Sequence, residues 1–219
     1  MFSITFIIII ATVVVSIIAF KNEQVMENLI FYPPAVTDKN EYYRFITSGF
    51  IHADVAHLAF NMISFFLFSN ALVEPAFMEF FGDYGRAMLL LMYLLALIVA
   101  LLPTYFKNKN NENYRSLGAS GAVSAVVFAG IMISPLSQLG FFIIPPIIPG
   151  FIFGPLYLVL SFYMDKRGGD NINHSAHIWG ALFGVIFMIV ATKLYSDYDI
   201  VTQFIEDIQF YMRTKFNIG

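Results

Sequence analysis

The chain has no cysteine, a single tryptophan and few charges: only 12% of its 219 residues are Asp, Glu, Lys or Arg. Without cysteine there is no disulfide, no thiolate metal site and no thiol nucleophile, and the redox compartment leaves no mark. A soluble domain carries about 25% charged residues because its surface must be covered; the 12 bases and 15 acids here fall well short of that. The net charge of −3 supplies no basic face, which excludes a nucleic-acid partner. What the chain has instead is apolar matter, 58% hydrophobic and 17% aromatic, too much for a solvated disordered chain. These proportions describe a multispanning membrane protein whose first partner is the lipid bilayer.

A hydrocarbon core about 30 Å thick takes roughly 20 apolar residues as helix. Six runs qualify as spans: 2–20, about 57–77, about 87–106, 119–135, about 149–164 and 175–194. The first has neither a basic start nor a good small-residue cleavage site, so it reads as a retained helix and not a signal peptide. Between the first two spans lies a polar stretch from Lys21 to Ala56, with Pro33 and Pro34. Residues 1–194 thus form one six-helix domain, and the mildly amphipathic tail 195–219 is expected to be an interfacial or solvent-exposed helix.

The fourth run is short. At 1.5 Å per residue its helix reaches only about 25 Å, so its first turn should begin below the membrane surface, entered by a loop at Arg115–Gly118. Irregular backbone at that depth survives only where it lines protein or a wet cavity. Gly121, Ala125 and Ala129 on this helix, and Gly180 and Gly184 on the sixth, are faces of small residues that let helices approach closely in lipid. Pairing these faces brings Ser120 toward His177.

All four histidines, His52, His57, His174 and His177, stand at span edges, where strongly polar groups are expensive and usually functional. His57 and Asn61, four apart, share a helix face. Ser120 opens a helix, where unpaired N–H groups and the helix dipole favour developing negative charge. These parts suit acyl transfer: Ser120 as nucleophile, His177 as base, and the Ser120 N–H with His57 and Asn61 as oxyanion donors. If the spans alternate in direction, the second, fourth and sixth all start on one side, so these residues share that side.

The segment from Ile51 to Met62 resembles the His-x4-His-x3-Asn signature of the rhomboid family, through His52, His57 and Asn61. Gly118-Ala119-Ser120-Gly121 resembles its Gly-x-Ser-Gly nucleophile motif, and Ala176-His177 with Gly180 and Gly184 resembles the motif of its last core helix. The motifs occur in the family's order, and the resemblance covers about residues 45–190. It implies an all-α, six-transmembrane-helix rhomboid-like bundle with a long first loop, acting as an intramembrane serine endopeptidase on transmembrane segments of substrate proteins. Ser120 and His177 would be its catalytic dyad and His57 and Asn61 its oxyanion hole, with His52 tying the first loop to the second helix. Glu41-Tyr42-Tyr43-Arg44 is similar to an acidic-x-Trp-Arg element of that loop, with Tyr43 in place of Trp; alternatively Arg44 is an interfacial cation reaching for headgroups.

The sequence departs from that pattern at Ser124, where many members have an aromatic stacking on the catalytic histidine. His174 either helps to orient His177 or merely caps the helix. No acid on the sixth helix completes a triad, and Asp165 and Asp170 lie in the preceding loop. The resemblance also implies a bacterial inner membrane with the active site opening to the non-cytoplasmic side. The bases disagree, since eight (Lys21, Lys39, Arg44, Lys107, Lys109, Arg115, Lys166, Arg167) fall on the dyad side and four (Arg86, Lys193, Arg213, Lys215) opposite. Two other functions fit parts of the pattern. One is a catalytically inactive rhomboid-like protein that binds transmembrane clients. The other is a metal site or ion pathway built from the histidines, but no carboxylate shares their turns, so neither metal nor cofactor is expected.

Overall fold

The structure, a computed structural model, describes residues 3–140, 145–169 and 172–216. Helices occupy all six of the apolar runs. The first is α1 (Ile4–Lys21), and the polar stretch behind it folds into three short helices, α2 (Glu23–Leu29), α3 (Pro33–Lys39) and α4 (Arg44–Thr47). Then come α5 (Val55–Phe68), a π-helical turn over Ser69–Val73, and α6 (Glu74–Phe81), which together make the second run. A 3-10 turn, Gly82–Tyr84, leads into α7 (Gly85–Asn108). The remainder is α8 (Ser120–Ile133), a two-residue antiparallel pair β1 (Gln138–Leu139) and β2 (Ile148–Pro149), α9 (Gly150–Arg167), α10 (His174–Tyr195) and α11 (Ile200–Phe216).

Length and hydropathy mark three stretches as able to cross a membrane: Ile4–Lys21, Val55–Asn108, which holds α5 to α7, and His174–Tyr195. The burial pattern says the same in another way. On α1 the polar Thr5, Thr12 and Ser16 are fully buried, while Phe6, Ile7, Ile10, Val14, Ile17 and Ile18 lie on the outside. A helix turned inside out like this is stable only where its outer solvent is apolar, and its polar groups must then find partners within the bundle. Thr5 does so with Ser69 (2.6 Å) and with the carboxylate of Glu74, which also accepts from Ser3 Oγ (2.6 Å) and from the Ile4 and Thr5 N–H groups (3.1 Å each). Glu74, itself paired with Arg86 (3.1 Å), thereby satisfies two of the orphan donors at the start of α1.

The short helix α8 is the centre of the bundle, with eleven of its fourteen residues buried. Its length is about 21 Å, shorter still than the run that predicted it, because a turn beginning at Ser134 ends it ahead of Pro135. Within the tail a helix runs over Ile200–Phe216, anchored where Tyr198 stacks on Phe80 (ring centroids 4.2 Å apart, planes 19° apart) and Phe204 packs on the core.

Candidate active site

The small-residue faces meet as their spacing predicts. A Cβ added at Gly180 would overlap the carbonyl oxygen of Gly121, and one at Gly184 that of Ala125; a Cβ at Gly121 would press on Ala100 and on the Ala176 carbonyl. Backbone-to-backbone approach of this kind sets α8 against the start of α10. Ser120, beside Gly121, and His177, beside Ala176, consequently open onto one cavity of about 870 Å³. Asn61 of α5 lines the same cavity. Its other walls are mostly apolar, from Phe60 and Leu67 of α5 on one flank to Phe153 and Tyr157 of α9 on the other.

The segment feeding Ser120 is irregular, so its backbone groups need partners that no helix supplies. It obtains them from the folded first loop and from His52. Ser116 exchanges two backbone hydrogen bonds with Phe31 (3.0 and 3.1 Å), the Gly118 N–H donates to the Ser48 carbonyl (2.9 Å), and the Ala119 N–H donates to His52 Nε2 (3.4 Å). Gly118 has φ +113°, a conformation glycine adopts freely. A Cβ there would stand 2.7 Å from His57 Cε1 and 2.9 Å from Nε2, so the missing side chain lets the His57 ring lie against the strand of backbone two residues before Ser120. Asn61 Nδ2 donates to the His57 carbonyl (3.0 Å), which leaves its second amide hydrogen for another acceptor. Asp54 caps α5 by accepting from the His57 N–H (2.7 Å).

His52 is fully buried, and its partners extend the expected role. It reaches the first helix and the loop ahead of Ser120: Nδ1 lies 3.0 Å from Ser16 Oγ, whose hydroxyl donates to the Phe50 carbonyl, while Nε2 accepts from Ala119. One direction of donation satisfies all three bonds, with the proton on Nδ1 and Nε2 free to accept. Toward α5 its contact is with the His57 ring, edge-on at 4.9 Å. Burial, helped by His57 and opposed by Asp54, pushes His52 down to about 4, so the neutral ring this chain of bonds requires is the one present near neutral pH.

Arg44 likewise does not reach for headgroups. Only 6% exposed, it donates to the carbonyls of Glu27 (2.8 Å) and Ile30 (2.7 Å) and pairs with Glu41, whose carboxyl its hydrogen bond holds below the usual range. It is the interior brace of the loop that clamps Ser116–Ala119. The cap of α10 is Asn173, whose Oδ1 accepts from the Ala176 N–H (3.1 Å); His174 is instead buried and packed edge-on against His177 (5.9 Å). Asp165 belongs to the last turn of α9 and not to a loop, and Asp170 lies outside the described residues.

Two residues of this neighbourhood escaped sequence reasoning. Ser16 had a readable signal, the polar stripe Thr5, Thr12, Ser16 at spacings of seven and four on an apolar helix. Tyr157, whose ring stacks on His177, had none, being one of five aromatics in α9.

Residues 39–194 match the rhomboid domain, and the chain belongs to the rhomboid family. It is 30% identical over 147 residues to presenilin-associated rhomboid-like protein A, mitochondrial, of Danio rerio, covering 65% of this chain and 36% of that protein. It is 26% identical to RHOMBOID-like protein 12, mitochondrial, of Arabidopsis thaliana (75% of this chain, 51% of that protein). To rhomboid protease GlpG of Haemophilus influenzae it is 26% identical (76% and 78%). The chain thus spans from about a third to half the length of the two mitochondrial relatives. Relatives named for mitochondria and chloroplasts as well as a bacterium give no support to the bacterial inner membrane in particular.

Proposed function

We propose that this chain is an intramembrane serine endopeptidase that crosses the bilayer six times and cuts transmembrane segments of other proteins. The reading is carried by one observation: Ser120, at the N-terminus of the buried helix α8, and His177, on α10, open onto the same cavity, whose remaining walls are mostly apolar.

In this mechanism Ser120 Oγ attacks the scissile carbonyl carbon while His177 takes the hydroxyl proton. The tetrahedral oxyanion meets the Ser120 N–H at the helix start, the His57 ring and the Asn61 amide. The C–N bond then breaks, His177 returns the proton to the leaving amine, and water hydrolyses the acyl-serine. Ser116 Oγ and Asn173 Nδ2, both buried without a protein partner, border a cavity of about 20 Å³ lined also by Ser120. That space holds about one water, next to the polar groups that would retain it. The apolar flanks from α5 and α9 suit a substrate helix that unwinds into the cavity, and the catalytic side would face away from the cytoplasm, as the family resemblance implies.

The test is labelling with a fluorophosphonate serine-hydrolase probe and cleavage of a model membrane substrate in liposomes. Wild type is expected to label and cut, and Ser120→Ala to do neither. Cleavage surviving in that variant, or a wild type that binds the substrate without cutting it, would overturn the assignment; the second result is that of an inactive client-binding relative.

A further inference from the structure

We infer that Tyr157, on α9, is a positioning residue for the imidazole of His177, a role that rests on the dyad reading above. An imidazole in the first turn of a helix, facing an open cavity, can rotate about two side-chain bonds unless something holds its plane. The Tyr157 ring lies over it, centroids 6.5 Å apart and planes 22° apart, an offset stack within the range of aromatic pairs. His174 closes on the same imidazole edge-on, at 5.9 Å and 81°.

Tyr157 is itself held at several points. Its hydroxyl is 2.9 Å from Ser124 Oγ, one turn after Ser120 on α8. Phe153, one turn earlier on α9, stacks on its ring (6.1 Å, 24°), and Phe128 of α8 tilts against it (5.6 Å, 56°). A large side chain at 124 would occupy the path between α8 and the Tyr157 hydroxyl; serine leaves it clear and supplies the hydrogen-bond partner. The helix that carries the nucleophile thus fixes Tyr157, and Tyr157 fixes the base. The departure at Ser124 is, in these terms, half of a pair whose other half stands 33 residues later in the chain.

The experiment uses the full chain with isotope-labelled histidine and tyrosine in detergent micelles, the His177 signal being assigned by its loss in His177→Gln. Wild type is expected to show a nuclear Overhauser contact between the His177 and Tyr157 rings and a ring-current displacement of the His177 signals. Tyr157→Leu should abolish that displacement and lower kcat roughly tenfold to a hundredfold, the scale of a misplaced catalytic group, with KM within about twofold. Tyr157→Phe keeps the ring and should retain both the displacement and most of kcat. Absence of the Overhauser contact in wild type overturns the inference, as does a Tyr157→Leu protein with an unchanged His177 signal and kcat, or a Tyr157→Phe protein as impaired as Tyr157→Leu. These results are separate from the fate of the dyad reading, because the spectroscopic signals do not depend on activity and only Ser120→Ala tests the nucleophile.

Discussion

The backbone N–H of Ala119, the residue before Ser120, donates to Nε2 of a histidine 67 positions earlier, His52, at 3.4 Å. The other ring nitrogen of His52 is bonded to Ser16 on the first helix. A single neutral imidazole therefore joins α1, the first loop and the approach to the nucleophile.

That link has a pH dependence with a definite sign. The His52 pKa falls from 6.5 to about 4 on folding. Above about 6.5 the ring is neutral in both folded and unfolded chains and its hydrogen bonds contribute in full. Between the two values the unfolded chain binds a proton that the folded ring refuses, so stability falls as pH falls through that window. Thermal unfolding in detergent from pH 7 to 4 should show this loss for the parent and a shallower slope for His52→Ala. That variant should also be less stable at pH 7 by about 1–3 kcal/mol, since it strands the Ala119 N–H. Equal slopes would remove His52 as the titrating group.

Gly180 tests the packing of α8 on α10. Its missing Cβ is replaced by the Gly121 carbonyl, and that atom is backbone and cannot rotate away. Gly180→Ala is expected to force the helices apart, destabilising the protein by about 1–3 kcal/mol and displacing His177 from Ser120. Cleavage should fall more steeply than the folded fraction does, as followed by proteolysis and activity on one sample. An alanine variant with parental melting temperature and activity would show that the contact is not tight.

Glu74 separates stability from chemistry. Its carboxylate gathers Ser3, the Ile4 and Thr5 N–H groups and Arg86 near the start of α1. Glu74→Ala leaves Arg86 and two helix N–H groups unpaired and should cost about 3 kcal/mol, read as a lower denaturation midpoint in detergent. The surviving folded protein should keep its kcat, because nothing in this cluster touches the cavity that holds Ser120. A kcat loss in fully folded Glu74→Ala would show that α1 is coupled to the site.

Much of this was legible in the chain. Gly121, Ala125, Gly180 and Gly184 announced which helices touch, because in lipid only small side chains let two backbones meet. The brevity of the run holding Ser120 likewise pointed to a helix sunk in the bundle. Other features were not legible. Lys21–Ala56 read as an undivided polar stretch, although Arg44 bound to the carbonyls of Glu27 and Ile30 makes it a folded clamp. A buried arginine and a headgroup-seeking one have the same letter and the same local spacing, and only the carbonyls that converge on Arg44 tell them apart.

Composition and periodicity by themselves determined that the chain is built of apolar helices suited to lipid, where those six apolar runs lie, and which polar residues stand at their ends, because each of these follows from local transfer energies along one segment. Tertiary structure alone decided that His52 serves Ala119 and Ser16, that Asn173 and not His174 caps α10, and that Tyr157 covers His177. These pairings join helices distant in sequence, and a hydrogen bond or ring stack exists only once the bundle has fixed the distance and angle between its partners.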